Sequence, residues 1–226
     1  MSELDVVSKT VKLTPVDAFY PKAARLPSAH TLSWMSAVEA QEELEPSVIV
    51  FMTQPAILAC AFHAASDLAN ETGGWLLGKW RMDNQQNQQY VVVDTVLFAE
   101  FTRSSSTHLT FTQDSQVAMR RILDEQHPEK ELVGWFHTHP RMGVFLSQYD
   151  LWLHQHFFPE MWQIALVIEP VSKTCGFFIR TTDGELASRH YFGFTELLGK
   201  EGRSVVDWNN LQPSLDLPEG GETCQE

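Results

Sequence analysis

The sequence predicts an α/β fold in which one sheet is flanked by two or three helices. Short apolar runs typical of buried strands recur along the chain, for instance at residues 48–52, 74–80 and 90–100. Segments with helical spacing of apolar residues separate them, without the regular alternation that βαβ units require. With 226 residues, 43% of them hydrophobic, the chain is long enough for one domain with a substantial core.

The individual elements follow in order from residue 48. Five strands are expected, at residues 48–52, 74–80, 90–100, 109–111 and 132–136. Thr53 and Pro55 indicate the start of a first helix. Its expected buried stripe is Ile57, Ala61, Ala64 and Leu68. Thr112 is predicted to cap a second helix that ends before Pro128, and residues 147–156 are predicted to form a short third helix.

The two ends of the chain differ from its middle in composition. Residues 1–46 contain Pro15, Pro21 and Pro27 and a late acidic cluster, and we expect an N-terminal extension that packs partly on the core. The main domain is predicted at residues 47–200. Residues 201–226 are predicted to be an acidic, disordered tail, because residues 204–226 hold five acidic residues and no lysine or arginine.

Charge and cysteine content exclude several classes of protein. A net charge of −13 argues against a broad nucleic-acid surface, which needs clustered lysine and arginine. No apolar stretch approaches the roughly 20 residues that span a bilayer, and no secretory signal is evident at the N-terminus. Cys60, Cys175 and Cys224 are far apart and form no CxxC pair, which favours a reduced, cytoplasmic protein.

The segment from Gly134 to Asp150 contains the components of a zinc site. His137 and His139 are two residues apart at the end of a predicted strand, so that both side chains can face one metal ion. Ser147 and Asp150 are three residues apart on a predicted helix, which places the hydroxyl and the carboxylate on one face. Two imidazoles and one carboxylate are three ligands, and a fourth position left to water is typical of catalytic zinc sites.

This segment and the upstream segment ETGGWLLG resemble the JAMM (MPN-plus) metalloproteases. That family carries a glutamate in an ExxGxLLG-like segment, followed by H-x-H-x7-S-x-x-D. All of these positions are matched, by Glu71, Gly74, Leu76, Leu77, Gly78, His137, His139, Ser147 and Asp150. Residues 165–170 and 176–180 resemble the two strands that follow in the family. The resemblance covers roughly residues 47–195, and its upstream segment is more similar to bacterial members than to the large eukaryotic complex subunits.

The resemblance implies an α/β sandwich of the JAMM/MPN (cytidine-deaminase-like) type, built around a mixed, largely antiparallel sheet. It also implies one zinc ion per chain, held by His137, His139 and Asp150, with Glu71 as general base and Ser147 stabilising the oxyanion. The implied activity is that of a peptidase or isopeptidase that cleaves after the C-terminus of ubiquitin or a ubiquitin-like protein. E1-like and E2-like proteins encoded nearby are expected partners, by analogy with bacterial systems.

Other interpretations of the same chain remain open. The protein could instead be an MPN-type assembly subunit, or a hydrolase of small amides or sulfur-carrier adducts. His154 lies four residues after Asp150 and could face the same side, but a packed or solvent-facing histidine is the favoured interpretation. Five tryptophans are interpreted as core residues: Trp75, Trp80, Trp135, Trp152 and Trp162. Phe145, in the loop between the ligands, is the candidate for substrate contact.

Overall fold

A computed structural model describes residues 20–39, 44–99, 102–104, 109–111 and 113–214. The three helices are α1 (Gln54–Ser66), α2 (Gln113–Gln126) and α3 (Gln148–Phe157). The strands are β1 (Lys22–Ala23), β2 (Thr31–Ser36), β3 (Ile49–Thr53), β4 (Gly73–Asp83), β5 (Gln88–Phe98), β6 (Thr102–Ser104), β7 (Leu109–Phe111), β8 (Glu131–Thr138), β9 (Ile164–Glu169), β10 (Thr174–Phe178), β11 (Phe194–Leu197) and β12 (Leu211–Pro213).

Ten of these strands form one mixed sheet. Nine of them lie in the order β10-β9-β8-β4-β5-β3-β11-β2-β12, and β1 pairs with the far end of β4. Within the described residues, five pairings of this sheet are antiparallel and four are parallel. β6 and β7 form a separate two-stranded hairpin. The predicted α/β sandwich around a mixed, largely antiparallel sheet is therefore confirmed.

Each face of the sheet carries its own hydrophobic core. One core packs against α1 and includes Ile57, Cys60 and the strand residue Phe136. The other lies under α2 and α3 and includes Met119, Leu153 and Trp135. Neighbouring strand residues such as Trp135 and Phe136 therefore belong to opposite faces, as the two-residue period of a strand requires. His137, two residues after Trp135, consequently faces the α3 side.

Steric crowding explains why position 74 of the ExxGxLLG-like segment is a glycine. A Cβ atom on Gly74 would lie 2.1 Å from the backbone oxygen of Leu97 in β5 and 2.9 Å from the Phe136 ring in β8. No side chain fits between the neighbouring strands at this position. The glycine therefore permits the close approach of β4 to β5 at the end of the sheet where the candidate ligands lie.

The first helix matches its prediction in position but only partly in its contacts. Thr53 is the N-cap and a proline occupies the first turn, although the Thr53 side chain makes no capping hydrogen bond. The buried positions of α1 are Ala56, Ile57, Cys60 and Ala64. Leu68, expected in the buried stripe, lies beyond the end of α1 and is 43% exposed. The predicted cap Thr112 of α2 lies outside the described residues.

Both predicted terminal boundaries differ from the structure. In the N-terminal part, residues 31–36 form β2 inside the main sheet, paired with β11 and β12, rather than an extension beside it. In the C-terminal part, residues 204–214 are folded: β12 joins the sheet, and Trp208 and Leu211 are buried in the α1-side core. The acidic composition of residues 204–226 indicated disorder, whereas these two apolar side chains pack in the core. Residues 1–19, 40–43 and 215–226 lie outside the described residues.

Two further sequence predictions can be compared with this fold. Trp75, Trp80, Trp135 and Trp162 are buried as expected, but Trp152 is 46% exposed, so its assignment to the core is wrong. Trp152 lies on the outer face of α3 and contacts Tyr149 and His156. None of the helices in the described part of the chain is both long and apolar enough to cross a membrane.

Candidate metal centre

The pairing of β4 with β8 brings Glu71 to the two histidines. Gly73 lies opposite His137 in this antiparallel ladder, so Glu71, two residues earlier, falls at the level of His139. Hydrogen bonds beyond the ladder extend the alignment: the Thr138 N–H donates to the Thr72 carbonyl (2.8 Å), and the Thr72 N–H donates to Thr138 Oγ1 (2.9 Å). Strand register thus joins residues that are 68 positions apart in the sequence.

The first turn of α3 supplies the other two candidate residues. Ser147 is the N-cap: its N–H donates to Asp150 Oδ2 (2.7 Å), and its Oγ accepts from the Asp150 N–H (3.2 Å). This reciprocal capping box fixes both side chains relative to the helix. The sequence spacing predicted a shared helix face; the structure makes Ser147 the N-cap and places Asp150 Oδ2 3.5 Å from His137 Nε2 at the end of β8.

Three potential ligand atoms converge at this point, from His137, His139 and Asp150. The two Nε2 atoms are 2.9 Å apart, and Asp150 Oδ2 lies 3.5 Å from that of His137 and 3.8 Å from that of His139. Ligands about 2.0–2.2 Å from a tetrahedral zinc ion are roughly 3.3–3.6 Å from one another. The three separations lie within and on both sides of this range, the donor types are those that zinc binds, and all three residues are buried.

The ionisation of these groups also suits metal binding. Burial, with a smaller contribution from His137, lowers the pKa of His139 from 6.5 to about 4, so the ring is neutral at pH 7. Burial raises the pKa of Asp150, but the neighbouring His137 and the Ser147 hydrogen bonds outweigh it and hold the pKa below its usual range. A neutral imidazole and an ionised carboxylate are the forms that bind metal.

The Glu71 carboxylate lies beside the three potential ligand atoms and is not part of that group. Its Oε1 atom is 3.9 Å from His139 Nε2, and the side chain is 3% exposed. A carboxylate in this position is close enough to receive a proton from a water molecule next to the three ligand atoms. The structure therefore brings together all five residues that the sequence singled out.

The loop after His139 contains a contact that the sequence does not predict. The ring of His139 is anchored at its other nitrogen, Nδ1, 3.2 Å from the Gly143 carbonyl. The loop itself is held by Glu169 at the end of β9, whose carboxylate accepts from the backbone N–H groups of Arg141 (2.9 Å) and Ser172 (2.7 Å). Arg141 has a φ of 64°, so the turn needs such an anchor. No local sequence pattern connects residues 28 positions apart.

A second group that the sequence does not predict packs against the ring of His137. The ring of Trp135 stacks on His137, with centroids 4.6 Å apart and planes 10° from parallel. Its Nε1–H donates to His154 Nδ1 (3.1 Å), and Arg180 Nη1 lies 2.8 Å from His154 Nε2. Burial, then the charge of Arg180, lowers the pKa of His154 to about 3, so this histidine is neutral. The expectation of a packed His154 is confirmed.

Phe145 and two further histidines, His63 and His190, each make an aromatic contact. The Phe145 ring contacts His139, with centroids 4.7 Å apart, and the predicted contact of Phe145 with substrate stays a prediction. His63 stacks on Phe98, and His190 contacts Phe192. His156 is exposed on α3. Within the described residues, His137, His139 and Asp150 are the only group of this composition close enough to hold a metal ion.

Comparison with protein families adds independent information. Residues 47–160 match the model of the family described as JAB1/Mov34/MPN/PAD-1 ubiquitin protease. An AMSH-like ubiquitin thioesterase 2 from Arabidopsis thaliana is 43% identical over 61 residues, which are 25% of this chain and 27% of that protein. Ubiquitin carboxyl-terminal hydrolase RPN11 from Saccharomyces cerevisiae is 26% identical over 129 residues, 56% of this chain and 40% of that protein.

The chain is also similar to an archaeal protein and to a solved bacterial structure. An NAD(+) hydrolase TcpA from a Theionarchaea archaeon is 38% identical over 64 residues, 27% of this chain and 19% of that protein. The solution structure of protein DSY2949 from Desulfitobacterium hafniense has a TM-score of 0.48 at 21% identity, covering 69% of this chain and 99% of that one. The chain thus spans 19–40% of the length of these three curated relatives.

Proposed function

We propose, from the premise that this chain belongs to the JAB1/Mov34/MPN/PAD-1 family, that it is a zinc-dependent peptidase or isopeptidase. One observation carries the proposal: His137, His139 and Asp150 converge within 4.8 Å of one another, and Glu71 lies beside them. A subunit that serves only for assembly has no need of this complete set. We propose the same five roles that the family pattern assigns to these residues.

The proposed chemistry is hydrolysis of an amide bond. Zinc, when bound to His137, His139 and Asp150, supplies Lewis-acid chemistry that lowers the pKa of water and polarises a carbonyl. Glu71 takes the proton from the attacking water and passes it to the departing amine. The Ser147 hydroxyl donates a hydrogen bond to the oxygen that becomes negatively charged, while its oxygen continues to accept from the Asp150 N–H.

The proposed substrate is the C-terminal tail of ubiquitin or a ubiquitin-like protein. β8, which contains His137 and ends directly before His139, lies between β4 and β9 and so offers no free edge. Among the described residues, β6 and β7 pair only with each other, so each leaves one edge unpaired. This hairpin follows the end of β5, where the Ala99 N–H donates to the Gly73 carbonyl, and Gly73 lies opposite His137. We propose that an extended tail pairs with this hairpin and so reaches the metal centre.

The named relatives support this substrate class. Two of them are named for their action on ubiquitin, and the family model covers residues 47–160, which include all five proposed site residues. Free, buried Cys60 and Cys175 agree with a reducing, cytoplasmic location. E1-like and E2-like partners, and the sulfur-carrier alternative, stay predictions.

Metal analysis and a cleavage assay test the proposal together. The purified protein should contain one zinc ion per chain and should release a ubiquitin-like protein from a C-terminal fusion. His137→Ala and Asp150→Ala should lose zinc and activity, whereas the control His156→Ala, on the exposed face of α3, should keep both. A wild-type protein that binds zinc but cleaves no member of a panel of ubiquitin-like fusions would favour the assembly-subunit alternative.

The tail of the substrate gives a second, independent measurement. Phe145 packs against His139 and narrows the space beside the ligands, so we expect small residues before the scissile bond. Replacing the two terminal glycines of the substrate with leucines should abolish cleavage of fusions and isopeptide conjugates alike. Efficient cleavage of that substrate, or of unrelated unfolded proteins, would indicate a general peptidase.

A further inference from the structure

The two histidines of the metal centre are held in different ways. A metal-binding histidine normally donates its second ring N–H to a carboxylate, a carbonyl or water, which fixes the ring orientation. His139 follows this rule through the Gly143 carbonyl. His137 does not: its Nδ1 atom is buried and has no hydrogen-bond partner within the described part of the chain. Something else must fix the plane of this ring.

Trp135 is the group in position to do so. Its indole ring lies nearly parallel to the His137 imidazole, 10° between planes and 4.6 Å between centroids. Such a stack opposes rotation of the imidazole, because any other plane would collide with the indole. The stack can fix His137 only if the indole itself is fixed. Its Nε1–H is fixed by the hydrogen bond to His154 Nδ1 (3.1 Å).

His154 also joins the two elements that carry the ligands. It belongs to α3, one turn after Asp150, whereas Trp135 belongs to β8, which contains His137 and ends directly before His139. Arg180, after β10, lies 2.8 Å from His154 Nε2 and donates to the carbonyls of Phe158 and Glu160 at the end of α3, both at 2.9 Å. The position of α3 relative to β8 is therefore defined at His154 as well as at the helix N-terminus.

We propose that His154 is a positioning residue of the metal centre: by holding Trp135, it fixes the ring plane of His137, as the Gly143 carbonyl does for His139. This inference rests on the proposed function, because it assumes that His137 is a ligand. In this proposal His154 acts only through Trp135 and does not itself contact the metal or the substrate.

Trp135 and Arg180 both lie beside His154, and an experiment can distinguish through which of them His154 acts. Trp135 Nε1 and Arg180 Nη1 are both donors, whereas a neutral imidazole has one lone pair. Arg180 has two backbone carbonyls as further acceptors, so we assign the lone pair on Nδ1 to Trp135. An asparagine side chain places its amide near the Nδ1 position, whereas a glutamine side chain places it near the Nε2 position. Only the asparagine can then replace the contact with Trp135.

The experiment compares His154→Phe, His154→Asn and His154→Gln with the wild-type protein. Zinc affinity is measured by competition with a chromogenic chelator, and the visible spectrum of the cobalt-loaded protein reports the ligand geometry. We expect His154→Phe to weaken zinc binding by about 10–100-fold and to alter the cobalt spectrum. His154→Asn should recover most of both properties, and His154→Gln should not.

A control separates positioning from loss of stability. Phe192→Leu changes the core on the opposite face of the sheet and should lower the thermal midpoint without affecting zinc affinity. If His154→Phe does not fold, as judged by circular dichroism, Trp135→Phe removes the same hydrogen bond and should show the same loss of affinity.

Three results would overturn the inference in distinguishable ways. Wild-type zinc affinity and an unchanged cobalt spectrum in folded His154→Phe would show that His154 does not position His137. Rescue by His154→Gln instead of His154→Asn would show that His154 acts through Arg180 and not through Trp135. A wild-type protein that binds no zinc would remove the proposed function itself, and this inference with it.

Discussion

Ser147 and Asp150 each accept a hydrogen bond from the backbone N–H of the other at the start of α3. The same two side chains are the proposed oxyanion donor and the proposed third metal ligand. Helix capping uses the oxygen of Ser147 and leaves its hydroxyl hydrogen to another acceptor. A structural role and a chemical role therefore coexist in each residue, and substitutions can separate them.

Ser147→Ala and Ser147→Gly should differ in stability but not in activity. Alanine at an N-cap costs about 0.5–2 kcal/mol in the free energy of unfolding, whereas glycine costs only a few tenths. Both variants lack the hydroxyl and should lose about 10²–10³-fold in cleavage rate. Thermal unfolding and a fusion-cleavage assay measure the two effects. Full activity in the glycine variant would exclude Ser147 as an oxyanion donor.

Glu71→Gln should separate metal binding from chemistry. The glutamine keeps the shape of the buried side chain next to His139 but cannot accept the proton, so zinc content and fold should remain near those of the wild type. The cleavage rate should fall by about 10²–10⁴-fold. Glu129→Gln, at an exposed position before β8, is the matched control and should cleave normally. Near-normal activity of Glu71→Gln would remove this residue from the mechanism.

The metal-free protein should lose stability in mild acid. The pKa of His139 is lowered to about 4 and that of His154 to about 3, mainly by burial, whereas the ordinary value is 6.5. As the pH falls below about 6.5, the unfolded chain binds these protons before the folded one. Each histidine then reduces the free energy of unfolding by at most about 1.4 kcal/mol per pH unit. Stability should be regained when the pH is returned above 6.5.

This acid sensitivity can be measured as the thermal midpoint of the metal-free protein between about pH 7.5 and pH 4.5. His154→Asn replaces one of the two titrating groups and should give a flatter curve than the wild type. Parallel curves for the two proteins would contradict the assignment of His154 as a buried neutral histidine.

Trp208→Ala should destabilise the domain. Trp208 is 7% exposed and packs in the α1-side core, where its ring contacts Phe194. Removing a buried tryptophan costs about 3–5 kcal/mol, so urea unfolding should shift to clearly lower concentrations. Asp207→Asn, the neighbouring control, removes only a surface ion pair with Lys173 and should change the free energy of unfolding by about 1 kcal/mol or less. Equal stability of the two variants would show that residues 204–214 are not part of the folded domain.

Local periodicity made much of this protein predictable. The spacing of His137 and His139 near a strand end, and of Ser147 and Asp150 near a helix start, depends only on repeats of 2 and 3.6 residues. In the structure His137 lies in β8 with His139 just after it, and Ser147 is the N-cap of α3 with Asp150 in the first turn. The first helix, signalled by Thr53 and Pro55, and the short strand Leu109–Phe111 also lie where the sequence predicts them.

Tertiary structure alone decided the contacts between distant residues. Glu71 meets His139 because β4 pairs with β8 in one register, and a slip of one residue would turn its side chain to the other face. Trp208 in the core, β2 inside the sheet, and His154 between Trp135 and Arg180 likewise depend on pairing over 19 or more positions. The sequence by itself determined which groups could hold a metal ion, because that follows from residue type and local spacing. The fold decided how those groups are fixed, because the supporting contacts come from elements that meet only after the sheet has closed.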